Sequence, residues 1–194
     1  MAISSIAGSS LKVSAFLSAA NNLTPTNLSP TSNSSNITKS FSWVLGANIA
    51  YGVNQLASFI TTIAASGNAS IDLTVLTNLL QQTAVVLVRV KSIMIQLLSL
   101  TDDTVNGTNC SSITINNTVT NAFSAQSNSG WFGNAAEGAA GGSKFVIPNG
   151  GTLAFATPAA AGVLVDGTHK VINYVNNDGS NGAAVQTTIF GADA

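Results

Sequence analysis

The chain has 194 residues, of which 45% are hydrophobic and only 7% are charged, and its formal net charge at pH 7 is −1. Soluble monomers typically carry about 25% charged residues, so we expect other subunits to cover much of this surface. The low net charge and the scattered lysine and arginine residues argue against direct binding of nucleic acid.

Residues 1–36 are predicted to form an extended N-terminal arm. Residues 21–36 contain two prolines and no aromatic residue, a composition that cannot bury itself. Upstream apolar side chains favour an arm laid over a neighbouring subunit, while a disordered tail is the alternative. The candidate partner contacts in this arm are Leu11, Val13, Phe16 and Leu17.

Residues 37–194 are predicted to form one all-β domain, an antiparallel β-sandwich or jelly roll. Alternating apolar and polar residues indicate half-buried strands, beginning at Ile37 and recurring at roughly ten-residue spacing. The predicted strands are 37–45, 56–63, 70–75, 85–98, 113–120, 145–147, 152–156, 163–165, 169–175 and 183–190. The one predicted helix is short, Thr74 to Gln82.

The predicted strand 85–98 belongs to the most apolar stretch of the chain, Thr83 to Leu100. Arg89 and Lys91 interrupt this stretch and many of its residues are β-branched, so we expect a strand and no membrane partner. The apolar side switches from Val86, Val88 and Val90 to Ile93, Ile95 and Leu97. This switch predicts a bulge or bend near Lys91 or Ser92, which would allow this strand to serve two sheets.

Turn signals separate the strands. They are Ser66-Gly67-Asn68, Asn106-Gly107, Pro148-Asn149-Gly150-Gly151, Asp166-Gly167 and Asn177-Asp178-Gly179. Asn-Gly and Asp-Gly pairs predict hairpin turns with positive φ angles. The glycine-dense segment 130–151 predicts a long loop, in which Trp131 and Phe132 either pin the loop to its own domain or anchor a partner.

Several short motifs from Gly46 to the C-terminus occur in the order seen in a family of small, mostly uncharacterised proteins of tailed phages and prophages. These motifs include Gly52-Val53-Asn54-Gln55, Ala64 to Thr74, Val88 to Ile93, Thr120 to Phe123, Ile147 to Leu153 and Thr188 to Gly191. The chain resembles this family. The resemblance implies a virion structural component with a jelly-roll-like sandwich, such as a capsid decoration or cement protein, and it implies no catalytic residues.

The residues that could carry chemistry are few, and we predict no catalytic, cofactor-binding or metal-binding residues. His169 is the only histidine and is expected at a strand edge, although copies around a symmetry axis could share a metal. Pairing of Cys110 with His169 as nucleophile and base has no local support. Asp102-Asp103 is expected in a solvated loop. Residues 176–182 are expected to form a hairpin turn rather than a calcium loop, because position twelve is Thr187.

Three hypotheses follow, of which we favour a non-enzymatic virion protein. Its expected partners are further copies of itself, as a homo-oligomer such as a trimer, and the major capsid protein or another virion protein. The alternatives are a bacterial extracellular or surface-filament subunit and a carbohydrate-binding module that uses Trp131, Phe132 or Tyr174. Eight Asn-x-Ser/Thr sequons keep the extracellular alternative open; they begin at Asn22, Asn27, Asn33, Asn36, Asn68, Asn106, Asn109 and Asn116.

Overall fold

The structure is a computed structural model that describes residues 10–21, 33–45, 52–53, 55–76, 85–116, 122–123, 144–157 and 162–193. In 10–21 and 33–45 the description covers the backbone only. The described residues form strands, turns and irregular segments without a helix, so none of their segments could cross a membrane as an apolar helix.

The strand predicted at 37–45 begins earlier, at residue 33, within the predicted arm. The other predicted strands are confirmed where the structure describes them, with shifts at their ends, and residues 10–21 and 52–53 form two strands that were not predicted. The described strands are numbered together. In chain order they are β1 (Ser10–Asn21), β2 (Asn33–Leu45), β3 (Gly52–Val53), β4 (Gln55–Ile63), β5 (Asn68–Asp72), β6 (Arg89–Leu97), β7 (Ser112–Asn116), β8 (Lys144–Pro148), β9 (Thr152–Ala156), β10 (Val163–Leu164), β11 (Val171–Asn176) and β12 (Ala183–Ala192).

Two antiparallel sheets build the main body. The first, called the β4 sheet, has the order β10-β6-β12-β4, and β9 also pairs with β6. The second, called the β5 sheet, has the order β5-β11-β7-β8. From β4 to β9 the chain crosses between the two sheets at every connection except β7 to β8, and it crosses again from β10 to β11 and from β11 to β12.

Both sheets contribute to one hydrophobic core. Ile93, Ile95 and Val185 enter it from the β4 sheet, and Ile113 and Ile115 enter it from the β5 sheet. All five side chains are at most 1% exposed. Among the described residues the all-β prediction is therefore confirmed, and the shared core makes their arrangement sandwich-like.

A short hydrogen bond connects the sheets inside this core. The hydroxyls of Tyr174 on β11 and Thr187 on β12 are 2.8 Å apart, and both residues are fully buried. Burial raises the pKa of Tyr174 above its ordinary value, and this effect exceeds the opposing effect of the Thr187 hydrogen bond. The Tyr174–Thr187 pair thus satisfies two polar groups that water cannot reach.

The bulge predicted on β6 is present at Lys91. Phe190 of β12 pairs with Ser92 and the next residue, Gly191, pairs with Val90, so Lys91 is the extra residue. The prediction that this strand serves two sheets is wrong. The strand β6 stays in the β4 sheet, and its edge opposite β12 pairs with β9 at residues 92–96 and with β10 at residues 89–90.

The predicted helix and the predicted hairpins need correction. Thr74 lies in a turn and Leu76 forms an antiparallel bridge with Val85, so the start of the predicted helix is not helical, and 77–82 lies outside the described residues. The turns at 148–151 and 177–179 join different sheets rather than hairpin strands. Among the described residues positive φ angles occur at Ser66, Gly150 and Gly162; the glycines of the Asn-Gly and Asp-Gly turns at 107, 167 and 179 lack them.

In three of these turns an aspartate carboxylate stabilises the backbone without a positive φ angle at the glycine. Asp103, Asp166 and Asp178 each accept hydrogen bonds from the backbone N–H groups two and three residues later. Such side-chain acceptors imitate a backbone turn, so the following glycine does not need a left-handed conformation.

The predicted N-terminal arm includes residues of a hairpin. The strand β1 pairs antiparallel with β2 from Ser10 opposite Val44 to Asn21 opposite Asn33, and β3 pairs parallel with β2. Leu11, Val13, Phe16 and Leu17 therefore lie on β1, but their side chains are outside the description. Their contact with a neighbouring subunit stays a prediction.

Candidate interaction surface

The outer surface of the β4 sheet is the best candidate for a functional site. On β4 the odd-numbered residues Ala57, Phe59 and Ile63 are buried, so the even-numbered residues point to the other side of the sheet. The same alternation holds on β12. The resulting surface, called the uncharged face, consists of Leu56, Ser58, Ile60, Thr62, Met94, Gln96, Thr152, Ala154, Ala156, Gln186, Thr188 and Phe190.

The strand register places these residues in rows across four strands. One row contains Ser58, Thr188, Met94 and Ala154, and the next row contains Ile60, Gln186, Gln96 and Thr152. Each row thus combines apolar side chains with hydroxyl or amide groups. No residue in the set defining this face carries a charge, so a partner could cover it without desolvating an ion.

Large apolar side chains are exposed on the uncharged face. Leu56 is 36% exposed and Met94 is 39% exposed, while Ile60 and Phe190 are half-buried. Ser58 and Thr188 satisfy each other by a hydroxyl hydrogen bond of 3.1 Å. From strand spacing and rise, the face covers about 400 Å², roughly half of what each partner buries in a typical stable interface.

The outer side of the β5 sheet is different, because its polar groups bond to one another. Ser70 donates to the Asn173 side-chain oxygen at 2.9 Å, and the Asn177 amide donates to the hydroxyls of Ser112 and Thr114. Asn173 and Thr114 are buried although they lie on the outward side. Their hydrogen-bonding capacity is used within the chain, which makes this side less suited to a partner.

The acidic residues of the described chain serve turns and ion pairs. The Asp178 carboxylate also accepts the backbone N–H of Ser111, and these hydrogen bonds lower the pKa of Asp178. The Asp72 carboxylate lies 2.7 Å from the Lys170 ammonium group; burial raises the pKa of Asp72, but bonds to Lys170 and Thr74 outweigh it and lower the pKa. Each of these carboxylates therefore has a structural role.

Cys110 and His169, the candidate nucleophile and base, each have other hydrogen-bond partners. Cys110 is fully buried, and its thiol donates to Ser112 and Asn176 oxygens. Burial raises the pKa of the Cys110 thiol, which disfavours the reactive thiolate. His169 lies just before β11 rather than within a strand, and its Nδ1 is 3.0 Å from the Asp166 carboxylate.

The expected loop position of Asp102-Asp103 is confirmed. Asp102 accepts the hydroxyl hydrogen bond of Ser99, and Asp103 accepts the backbone hydrogen bonds of residues 105 and 106. Hydrogen bonds from Asn106 and Val105 lower the pKa of Asp103. Within the described ranges, His, Cys, Asp and Glu residues form no cluster of three that could hold a metal ion.

One buried charge was not anticipated from the sequence. Lys91, the bulged residue of β6, has no exposed surface, and the methylene groups of its side chain lie against Gly162. Burial lowers the pKa of Lys91, and the nearby charge of Arg89 lowers it further. Alternation predicts an outward or inward position for each strand residue, but a bulge turns two successive residues to one side.

The sequence-based candidates and the uncharged face do not coincide. Trp131 and Phe132 lie outside the described residues, and Leu11, Val13, Phe16 and Leu17 are described only by their backbone. The uncharged face was missed because alternation was used to find buried residues. The neglected signal was the absence of charge at the outward positions of β4, β9 and β12 and at the outward positions of residues 92–96 on β6, which the register makes neighbours.

Comparisons with known proteins add no relative. No family model, curated protein or solved structure matches the chain.

Proposed function

We propose that this chain is a non-enzymatic virion structural protein, a capsid decoration or cement protein that stabilises a shell through subunit contacts. The observation that carries the proposal is the uncharged face, in which Leu56 and Met94 are exposed among neighbouring side chains that carry no charge. The low charge content of the whole chain and its resemblance to phage proteins support the same role. The proposed location is the virion, and the proposed partner is the major capsid protein or another shell protein.

The jelly-roll form of the sandwich is part of this proposal, and nested strand pairing supports it. The first long strand of the body pairs with the last, as β4 with β12, and the next inward pair is β5 with β11. The inner pairs are β6 with β9 and β7 with β8. A long hairpin rolled into two sheets has this nesting, and jelly rolls are frequent in viral capsid domains.

Buried apolar area supplies the proposed stabilisation. The uncharged face covers about 400 Å². If about half of this area is apolar, covering it contributes roughly 5 kcal/mol at about 25 cal/mol per Å². Association costs about 4–15 kcal/mol in lost freedom of motion, so one such contact alone is weak. A symmetric shell provides repeated contacts, and the N-terminal arm, including Leu11 and Phe16, would add further area.

The test is quantitative mass spectrometry of gradient-purified particles, combined with two variants. We expect the chain at a fixed ratio to the major shell protein. Met94→Lys places a charge in the uncharged face and should abolish binding to particles. Val146→Lys is the matched control, because Val146 is 63% exposed on the outer side of the β5 sheet, and it should bind normally.

Two results would contradict the proposal. Absence of the chain from particles would remove the virion role and favour a surface-filament subunit. Equal particle binding by folded Met94→Lys and Val146→Lys proteins would remove the uncharged face as the contact surface.

A further inference from the structure

The outer edge of β4 has no partner strand among the residues that the structure describes. The strand is nine residues long, Gln55–Ile63, and contains neither a charged residue nor a proline. Within the described part of the chain its ladder partner is β12, which leaves the opposite edge without a strand. Long edges with exposed backbone donors and acceptors are sites of strand addition.

One hydrogen bond identifies the backbone groups at this open edge. The N–H of Leu98 donates to the carbonyl of Ala184, so the even-numbered residues of β12 bond towards β6. The direction alternates along an antiparallel strand, and the odd-numbered residues of β12 therefore bond to β4. Thr187 pairs with Phe59 in this register, so Leu56, Ser58, Ile60 and Thr62 direct their N–H and C=O groups to the open edge.

Three other edge strands of the main body have features that limit strand addition. The edge strand β5 has five residues and ends at Asp72, which is paired with Lys170. The edge strand β8 has five residues and includes Lys144 and Pro148, and β10 has only two residues. Natural sheets limit edge pairing by short strands, lysine and proline, and β4 has none of these.

We infer that two copies of this chain pair antiparallel through their β4 edges about a two-fold axis near Phe59. Ser58 then lies opposite Ile60 of the second copy, and Leu56 lies opposite Thr62. About eight backbone hydrogen bonds form between the four open residues of each strand. No like charges meet, because β4 is uncharged, and a two-fold contact requires this self-complementarity.

The inferred pairing joins the uncharged faces of two copies into one surface of about 800 Å², the area each partner buries in a typical interface. The dimer itself does not depend on a virion role. Its use as an enlarged docking surface rests on the proposed function.

The dimer is tested with the purified full-length chain, without particles, by sedimentation velocity over a range of concentrations. The wild type should sediment as a concentration-dependent dimer. Ser58→Pro removes a donor at the open edge and places the proline ring there, so its dimer dissociation constant should rise at least about tenfold. Ser58→Ala loses the same hydroxyl but keeps the N–H, and it should dimerise like the wild type.

A cross-linking experiment checks the register and remains informative if Ser58→Pro does not fold. Ser58→Cys and Ile60→Cys proteins, mixed and mildly oxidised, should form a disulfide between copies, because directly opposed residues meet the distance requirement. Each protein alone should cross-link less.

Three results would overturn the inference. They are a wild-type monomer or trimer, a folded Ser58→Pro protein that still dimerises, and equal cross-linking of mixed and single proteins. Absence of the wild-type chain from particles, together with an intact dimer, would refute the proposed function alone.

Discussion

The hydrogen bond between Tyr174 and Thr187 predicts a measurable coupling between the two sheets. Tyr174→Phe removes the phenol oxygen and leaves the Thr187 hydroxyl fully buried without its 2.8 Å partner. A buried polar group left unsatisfied costs about 1–3 kcal/mol. A loss of about 2 kcal/mol in a chain of this size lowers Tm by about 4–8 °C.

The partner variant completes a double-mutant cycle. Thr187→Val leaves the Tyr174 hydroxyl unsatisfied, so we expect a similar loss of about 1–3 kcal/mol. The double variant removes both polar groups, and its free energy of unfolding should fall by much less than the sum of the two single losses. Urea unfolding followed by circular dichroism provides all four free energies. Additive losses, or an unchanged Tyr174→Phe protein, would refute the reasoning.

The pH dependence of stability tests the burial of Tyr174 independently. Because burial raises the pKa of Tyr174 in the folded state, its contribution to stability is fully present below its ordinary pKa of 10.0 and is lost as pH rises above that value. Tyr174→Phe should lose stability less steeply above pH 10 than the wild type. Parallel curves for the two proteins would show that Tyr174 ionises equally in both states.

Three further outcomes follow from single contacts. Gly107→Ala should strongly destabilise the fold, because its Cβ would clash with the Ser99 carbonyl oxygen. The control Gly167→Ala has no atom within 4 Å of its Cβ and should change Tm little; equal melting temperatures of the two variants would contradict this. Hydrogen bonds lower the pKa of Asp178 in the folded state, so its contribution to stability is present above its ordinary pKa of 3.8 and is lost as pH falls below that value. The free energy of unfolding of Asp178→Asn should therefore depend less on pH over that range than that of the wild type. The Cys110 thiol should react with a thiol reagent only at the rate of unfolding, because it is fully buried; rapid labelling of the folded protein would contradict the buried position.

The strands were predictable because their signal is local. A half-buried strand such as β4 needs apolar residues at every second position, and this pattern is visible in nine consecutive residues. The bulge near Lys91 was predictable for the same reason, because the apolar side changes within one strand. The turn after β11 was located correctly, but its glycine has no positive φ because the Asp178 carboxylate holds the loop.

The pairing of strands was not predictable, since it joins residues far apart in sequence. Ser58 meets Thr188 across two neighbouring strands, and Tyr174 meets Thr187 across the core. A local pattern also cannot say which strand will lie at an edge, so the open edge of β4 was not recognised. The same holds for Lys91, whose burial depends on a bulge and on Gly162 from another strand connection.

The amino-acid sequence by itself determined that the described part of this chain is all-β, where most of its strands run and that the chain carries little charge, because alternation and composition act over neighbouring residues. Only the tertiary structure decided which outward residues form one continuous uncharged face and which edge stays open. These properties arise from strand order and register, and long-range hydrogen bonding and packing of the shared core select them.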